Sequence, residues 1–509
     1  MLRNIKIFFV SLAAVATMSS CLDKLPGSAI PEQEAMQSFN DAEQFVTGIY
    51  ALLKSSALYS GYLTLLPDIQ TDLVYAVEGN TNTYGSFWRW DIRSTTSEVE
   101  AVYASLYQVI SNCNFYLERV GDVEAALTDD EQIETLEQYT AEVYTIRALA
   151  YSELLKCYCK AYDPLTAESE LGVVLRKSYS KKEEAIRASL KESYAFVLSD
   201  LAKAEELFAE DNVGHSSTYM TLGVVYALRA RVALNMQDWD AAIKYSTKVI
   251  DMKEVYSLSS AKTMYTAEAS FYTYMWQYDV GTEVLWRVGF TPTSYGGALG
   301  QVFLNFNVDY YYFYPDYVPA QWVLQLYESA DLRYDSIFYN AATGYEHALS
   351  WPLLVKYYGN GDFINNNLIY HVSMPKPFRL AEQYLIRAEA YCRQATPNFG
   401  AASKDLTTLR EARFATGGAV SLKADSYLQT IADERVRELY MEGFRLNDLK
   451  RWGTLYNNGN GFKRQPQTSS QPEGSRLEIK ADNPLFVWPI PQHEIEAPGS
   501  QVQPNESNK

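Results

Sequence analysis

The stretch DERVRELYMEGFRLNDLKRWG, residues 433–453, carries one of the most specific patterns in the chain. Apolar residues recur at three- and four-residue steps and predict a single helix whose buried face is formed by Leu428, Ala432, Val436, Leu439, Gly443 and Leu446. Charged residues three apart, such as Glu434 with Arg437 and Asp448 with Arg451, can pair along the surface of such a helix. Nothing in this spacing requires catalysis, so a structural role is favoured.

Helical spacing also covers the segments upstream, from Val143 to Cys157 and from Ile186 to Phe208. Near residue 236 a helix gives way to a short turn and a second helix, which Asp238 or Asp240 can cap. A short Arg-Ala motif recurs on the helices, at Ile146-Arg147-Ala148, Leu228-Arg229-Ala230 and Ile386-Arg387-Ala388. Small residues let paired helices approach closely, as in tetratricopeptide repeats. The irregular spacing predicts a mostly α-helical hairpin scaffold interrupted by insertions.

The largest interruption spans residues 256–377, where helical periodicity fails and turn residues accumulate. It contains the run Tyr310-Tyr311-Tyr312-Phe313-Tyr314 and a strand-like piece at residues 283–288. A long aperiodic stretch held on a helical frame is where binding loops are usually found.

A second aromatic segment, GNTNTYGSFWRWD, occupies residues 79–91. In an extended segment Trp88 and Trp90 share one face, because side chains alternate along a strand. With Asn82 and Asp72 nearby, they would form a flat apolar surface with hydrogen-bonding neighbours, suited to sugar rings or to peptide side chains. The alternative is that one or both tryptophans belong to the core.

Composition excludes several classes of function. The chain has 62 acidic and 44 basic residues, a formal charge of -18 that would repel nucleic-acid backbones, so no nucleic-acid partner is expected. Only 4 histidines are present, the 5 cysteines are scattered, and no CxxC or HExxH pattern occurs, so no metal centre or cofactor is predicted. Without a complete EF-hand loop, calcium binding stays an open question.

The first twenty residues resemble an export signal, with Arg3 and Lys6 ahead of a short apolar run that ends in Ser19-Ser20-Cys21. Small residues before a cysteine are typical of a lipoprotein signal, which predicts that Cys21 becomes the lipidated first residue. Ordinary secretory cleavage with a free Cys21 is the alternative. No later segment sustains the roughly 18 apolar residues of a membrane-spanning helix.

Three blocks together resemble the SusD/RagB family of outer-membrane nutrient-binding lipoproteins of Bacteroidota. They are the arginine-alanine-glutamate helix at residues 378–391, the glutamate-glycine-x-arginine helix at residues 433–453, and the proline-isoleucine-proline-glutamine strand at residues 488–495. Their order and separation match the family, and with the lipoprotein signal the likeness extends over most of the chain.

The resemblance implies a tetratricopeptide-type fold that binds an oligomeric nutrient outside the cell and covers a SusC-like TonB-dependent transporter as a hinged lid. It implies an outer-membrane location through a lipid anchor facing the extracellular side. Most members bind glycans, and a branch that this chain also resembles binds oligopeptides. Ligand loops of the family lie after the first helices and in the central insertion, which correspond here to Trp88, Trp90, Asp72 and Asn82, and to Tyr310 and Tyr312.

The expected organisation has six segments. They are a lipoprotein signal (1–20), an anchor or linker (21–40), an N-terminal helical part (41–255), the irregular insertion (256–377), a C-terminal helical part (378–455) and an irregular C-terminal segment (456–509).

Two rival classes lack support in the sequence. A glycosidase would need a pair of carboxylates in a cleft, but no nucleophile elbow or phosphate-binding loop accompanies the acidic residues. A purely structural helical adaptor would leave the aromatic loops unexplained. We therefore expect a binding protein without enzymatic activity.

Overall fold

The computed structural model of the protein describes residues 34–179, 184–345, 350–464 and 472–509. The predicted signal and Cys21 lie outside these ranges. Among the described residues, none of the helices combines the length and apolar character needed to cross a membrane.

Helices dominate these ranges, so the prediction of a mostly α fold is confirmed. In chain order they are α1 Phe39–Leu52, α2 Tyr62–Ile69, α3 Gly85–Trp88, α4 Ser97–Ala125, α5 Asp130–Tyr158, α6 Leu190–Leu207, α7 Leu222–Met236, α8 Trp239–Ile250, α9 Phe271–Tyr278, α10 Gln301–Leu304, α11 Gln321–Leu326, α12 Arg333–Ile337, α13 Gly361–Asn367, α14 Leu380–Arg393, α15 Phe399–Glu411, α16 Tyr427–Leu439, α17 Arg445–Trp452 and α18 Gln492–Glu496.

The strands form short antiparallel pairs between the helices. They are β1 Val74–Ala76, β2 Leu171–Val174, β3 Arg187–Ser189, β4 Val284–Trp286, β5 Phe306–Asn307, β6 Tyr312–Phe313, β7 Tyr317–Pro319, β8 Phe338–Ala342, β9 Ser350–Leu354, β10 Phe378–Arg379, β11 Phe462–Lys463 and β12 Glu478–Ile479. In the described residues the pairs are β1 with β7, β2 with β3, β4 with β10, β5 with β6, β8 with β9, and β11 with β12. The expected strand at residues 488–495 is absent from these pairs.

Paired helices build the scaffold. α4 and α5 pack on each other, α6 packs on α5, α7 on α8, and α14 lies between α8 and α15. The side chain of Asp238 accepts a hydrogen bond from the Ala241 backbone, which confirms one of the two predicted caps of α8. α6 starts at Leu190, later than the sequence pattern indicates, because Ser189 and Glu192 form a capping box there.

The recurrent Arg-Ala motifs have a common structural role. Arg147 pairs with Asp200 on α6 through two 2.7 Å hydrogen bonds, and Arg387 pairs with Asp405 on α15 at 2.8 and 2.7 Å. The alanines that follow are buried, which lets the helices approach. The motifs of Arg147 and Arg387 therefore each combine close helix packing with an ion pair to the neighbouring helix.

The single helix expected over residues 428–446 is wrong, because the chain breaks between α16 and α17. Gly443 adopts φ +85°, and a Cβ at this position would lie 2.3 Å from the Leu63 carbonyl oxygen. The backbone N–H groups of Gly443 and Arg445 both donate to the buried Asp68 carboxylate at 2.9 Å. The break lets the carboxylate on α2 cap the start of α17.

The charged residues expected on the helix surface are instead buried in an ionic cluster. Glu434 does pair with Arg437 at 2.7 Å and Asp448 with Arg451 at 3.0 Å, but none of the four is exposed. The ionic cluster consists of Arg333, Arg379, Arg413, Asp331, Glu283, Glu434, Glu438 and Glu442, all of them buried except the partly buried Glu442.

Glu438 lies at the centre of this ionic cluster. Its carboxylate accepts hydrogen bonds from Arg333 at 2.9 Å, Arg379 at 2.8 Å and Arg413 at 2.9 Å. Burial by itself would raise the pKa of Glu438, but the three guanidinium charges outweigh burial and hold the pKa far below its ordinary value. The carboxylate is therefore ionised over the whole physiological range.

Neutralising Glu438 tests how far the fold depends on the cluster. Glu438→Gln should lower the free energy of unfolding by about 3–5 kcal/mol, because three buried arginines lose one shared negative charge. The control is Asp91→Asn, which removes a carboxylate from an exposed pair with Arg93 and should cost less than about 1 kcal/mol. Guanidinium denaturation measures both, and equal midpoints for the two variants would contradict the assignment.

Candidate functional site

The tryptophans expected to form an exposed surface are instead buried. Residues 85–88 form the short helix α3 and Trp90 adopts φ +56°, so the alternation of an extended strand does not apply. Trp88 packs on Tyr75 and under the Arg464 guanidinium, 4.6 Å from its ring centroid. Trp90 packs on Phe486 and donates to the Gln70 carbonyl. Each tryptophan is 1% exposed, so neither can bind a ligand on its face.

Asp72 is also unavailable to a ligand. It is buried and accepts two hydrogen bonds from Arg445, at 3.0 and 2.8 Å, so its carboxylate is fully engaged inside the protein. The sequence could not reveal this partner, because Arg445 lies 373 residues further along the chain.

Asn82 remains at the surface, and its side-chain oxygen accepts a hydrogen bond from Arg89 at 2.6 Å. The loop that carries it is fixed by Thr81, whose backbone N–H and hydroxyl both bind the Asp316 carboxylate. Asp316 lies two residues after the end of the Tyr-rich run. The structure thus brings the loop of Asn82 next to the Tyr-rich segment.

The Tyr-rich segment forms a hairpin from β5 to β6, here called the tyrosine hairpin, residues 306–313. Tyr310 and Tyr311 at its tip are 68% and 80% exposed, whereas Tyr312 is half-buried in β6. The Asn307 side chain accepts from the backbone N–H groups of Asp309 and Tyr310, which fixes the turn. These tyrosines have the exposure that ligand contact requires, and their role in binding stays a prediction.

A cleft of about 570 Å³ lies beside the tyrosine hairpin, and sequence reasoning did not identify it. We call it the aromatic cleft. Every residue that lines it falls in the segment 268–365, within the insertion. The lining comprises Glu268, Thr273, Trp276, Gln277, Tyr278, Leu304, Phe313, Asp335, Ser336, Tyr339, Ala341, Leu353, Val355, Tyr358, Gly359, Gly361, Ile364 and Asn365.

The floor of the cleft is held from behind by charged residues. Trp276 is buried, and the ammonium groups of Lys356 and Lys376 lie 4.0 and 4.6 Å from its ring centroid. Burial lowers the pKa of Lys356 to about 8, although Glu442 lies 2.6 Å away and favours the charged form. The indole N–H of Trp276 is buried and has no hydrogen-bond partner within the described ranges.

Exposed apolar side chains are concentrated in the insertion. Among the described residues, twelve of the sixteen large exposed apolar side chains belong to it, and two of them, Tyr339 and Tyr358, line the cleft. Exposed apolar side chains in a cleft are typical of an interaction site. Aromatic walls with hydroxyl, amide and carboxylate groups can stack on sugar rings and hydrogen-bond their hydroxyls. In the described part of the chain no group of three His, Cys, Asp or Glu could hold a metal ion.

Comparison with known proteins gives matches over most of the chain. A family model described as "SusD family" matches residues 339–506, and another described as "Starch-binding associating with outer membrane" matches residues 21–234. A SusD-like protein of Formosa agariphila is 24% identical, with 89% of this chain and 90% of the relative covered. The starch-binding protein SusD of Bacteroides thetaiotaomicron is 34% identical over 119 residues, 23% of this chain and 20% of that protein.

Solved structures share the fold. A SusD superfamily protein of Bacteroides thetaiotaomicron superposes with a TM-score of 0.77 at 22% identity, covering 92% of this chain and 99% of that one. A SusD-like carbohydrate binding protein of Bacteroides vulgatus gives a TM-score of 0.73 at 20% identity, covering 91% and 97%.

Replacing the tryptophans tests their burial. Trp88→Ala and Trp90→Ala should each lower the free energy of unfolding by about 3–5 kcal/mol, because both leave cavities in well-packed regions. Tyr311→Ala is the control, since this exposed side chain should change stability by less than about 0.5 kcal/mol. Thermal melting distinguishes the variants, and unchanged melting temperatures of both tryptophan variants would contradict the burial of these residues.

Proposed function

Because the chain belongs to the SusD family, we propose that it is a cell-surface lipoprotein that binds an oligosaccharide and delivers it to a TonB-dependent transporter of the outer membrane. The ligand would occupy the aromatic cleft and extend towards the tyrosine hairpin. Proteins of this family are binding proteins, which agrees with an absence of catalysis.

The aromatic cleft is the observation that carries this proposal. Its volume of about 570 Å³ falls in the range of small-molecule sites, and its walls combine Tyr339, Tyr358 and Phe313 with amide and hydroxyl groups. An aromatic ring covers the apolar side of a pyranose, while the polar groups receive its hydroxyls. Relatives whose names include starch or carbohydrate binding support a glycan over an oligopeptide.

The carboxylates of the cleft support binding rather than hydrolysis. A glycosidase needs a general acid whose pKa is raised, usually by an apolar environment. Glu268 and Asp335 are both exposed to solvent, so neither has such an environment. We therefore expect any bound oligosaccharide to be recovered intact.

The N-terminal sequence and the matched family description support a lipid anchor in the outer membrane. Ser19-Ser20-Cys21 after the apolar run supports lipidation of Cys21, and the matched family description refers to association with the outer membrane. A lipid anchor on the extracellular side would place the cleft where it can meet a nutrient before the transporter does.

Binding can be tested with a variant of the cleft wall. Tyr339→Ala should weaken binding of a neutral hexasaccharide about tenfold or more, because it removes an exposed stacking surface. The control is Tyr295→Ala, another exposed tyrosine, which does not line the cleft. Titration calorimetry would screen malto-, cello-, laminari- and mannohexaose, followed by chromatography of the bound sugar.

Three results would oppose the proposal. They are binding of hexapeptides with none of the sugars, cleavage of the bound sugar, or equal affinity of the Tyr339→Ala and Tyr295→Ala variants for it.

Anchoring and delivery need a separate experiment in native membranes. The tagged full-length protein should recover a TonB-dependent barrel in near-equal amount under mild detergent. In a strain that lacks this barrel, Cys21→Ala should move the protein from the membrane fraction to the soluble fraction. Recovery of the lipoprotein alone in several detergents, or membrane retention of the variant after washing, would contradict the respective part.

A further inference from the structure

We infer that the aromatic cleft selects oligosaccharides without acidic substituents, so that neutral glycans bind and uronate-containing or sulfated glycans are rejected. This inference rests on the proposed function, since it specifies the ligand of the same cleft. It concerns the charge of the ligand, which neither the family matches nor the shape of the cleft specifies.

Among the described residues, the charges that line the cleft are negative. Glu268 and Asp335 belong to this lining, and no described Lys, Arg or His does. Both carboxylates are exposed, and neither has an ion-pair partner within the described residues. An acidic sugar in the cleft would therefore face like charges, with no described cation in the lining to neutralise them.

The surrounding elements add to this negative charge. The tyrosine hairpin carries Asp309 and no basic residue, whereas the loop 77–84 carries Glu78 and also contacts the Arg89 guanidinium through Asn82. Helix α13, whose Gly361 and Ile364 line the cleft, also carries the exposed Asp362. A ligand that extends beyond the cleft would thus meet further carboxylates.

The positive charges behind the cleft are already neutralised. Lys376 binds Asp279 at 2.6 Å and Lys356 binds Glu442 at 2.6 Å, and both lysines are buried. Arg333, at the start of α12, is buried in the ionic cluster. The two lysines lie behind the Trp276 ring and are buried, so they do not offer a positive charge to a ligand in the cleft.

The size of the effect follows from simple electrostatics. Two like charges about 7 Å apart in water weaken binding roughly threefold, and two such contacts weaken it about tenfold. Added salt screens exposed charges, since the Debye length falls to about 3 Å at 1 M. Discrimination against acidic sugars should therefore be strong at low salt and weak at high salt.

The test compares one glycan in two charge states. A neutral hexaose that binds in calorimetry is oxidised at C6, so that backbone and linkage stay the same and only carboxylates are added. The oxidised form should bind about tenfold more weakly at 50 mM NaCl, and the difference should shrink at 0.5 M. The double variant Glu268→Gln with Asp335→Asn should remove most of the difference.

A matched control separates the cleft from the net charge of the chain. Glu124→Gln with Glu210→Gln changes the total charge equally, at exposed residues that do not line the cleft, and should leave the difference unchanged. Equal or tighter binding of the oxidised sugar at low salt would overturn the inference and leave the proposed function standing. The inference would also be overturned if the control variant reduced the difference in affinity between the two sugars as much as the cleft variant does. If no hexaose binds in either form, the proposed function itself fails.

Discussion

The buried Glu438 carboxylate is the point where three separate parts of the chain are joined. It binds Arg333 from the insertion, Arg379 from the strand before α14, and Arg413 from the end of α15. Transfer of ions from water into a protein interior is costly, and the cost is offset only when each ion finds partners of opposite charge. Because no segment can supply all the partners alone, the insertion and the C-terminal helices form one cooperative unit.

The ionic cluster positions the elements that line the cleft. Arg333 begins α12, which supplies Asp335 and Ser336 to the cleft, while Lys356 connects the Trp276 ring to Glu442. A wall that is held from behind needs little reorganisation when a ligand binds, which favours affinity. Residues that never touch a ligand thereby determine the geometry of the proposed site.

Aromatic residues divide into two populations with different physical roles. Trp88 and Trp90 are large, apolar and enclosed, so they stabilise the junction between the first helices and the C-terminal segment. The tyrosines of the insertion carry a hydroxyl that tolerates water, so Tyr310, Tyr311 and Tyr339 can remain exposed. Tyr339 lines a cleft whose described lining has carboxylates and no cation, and the proposed ligand class follows from both features.

The sequence by itself determined the helical scaffold and the family, because helix periodicity and short motifs are local properties. It also indicated the Tyr-rich run as exposed and polar enough for a surface. Only the tertiary structure decided that Trp88, Trp90 and Asp72 are internal, because folding brings their partners to them. These partners are Arg464 for Trp88, Gln70 for Trp90 and Arg445 for Asp72. The tertiary structure also brings residues from across 268–365 together in one cleft. It places charged residues that are regularly spaced along the helix in a buried cluster. Periodicity identifies which residues share a face, but what covers that face is set by distant parts of the chain.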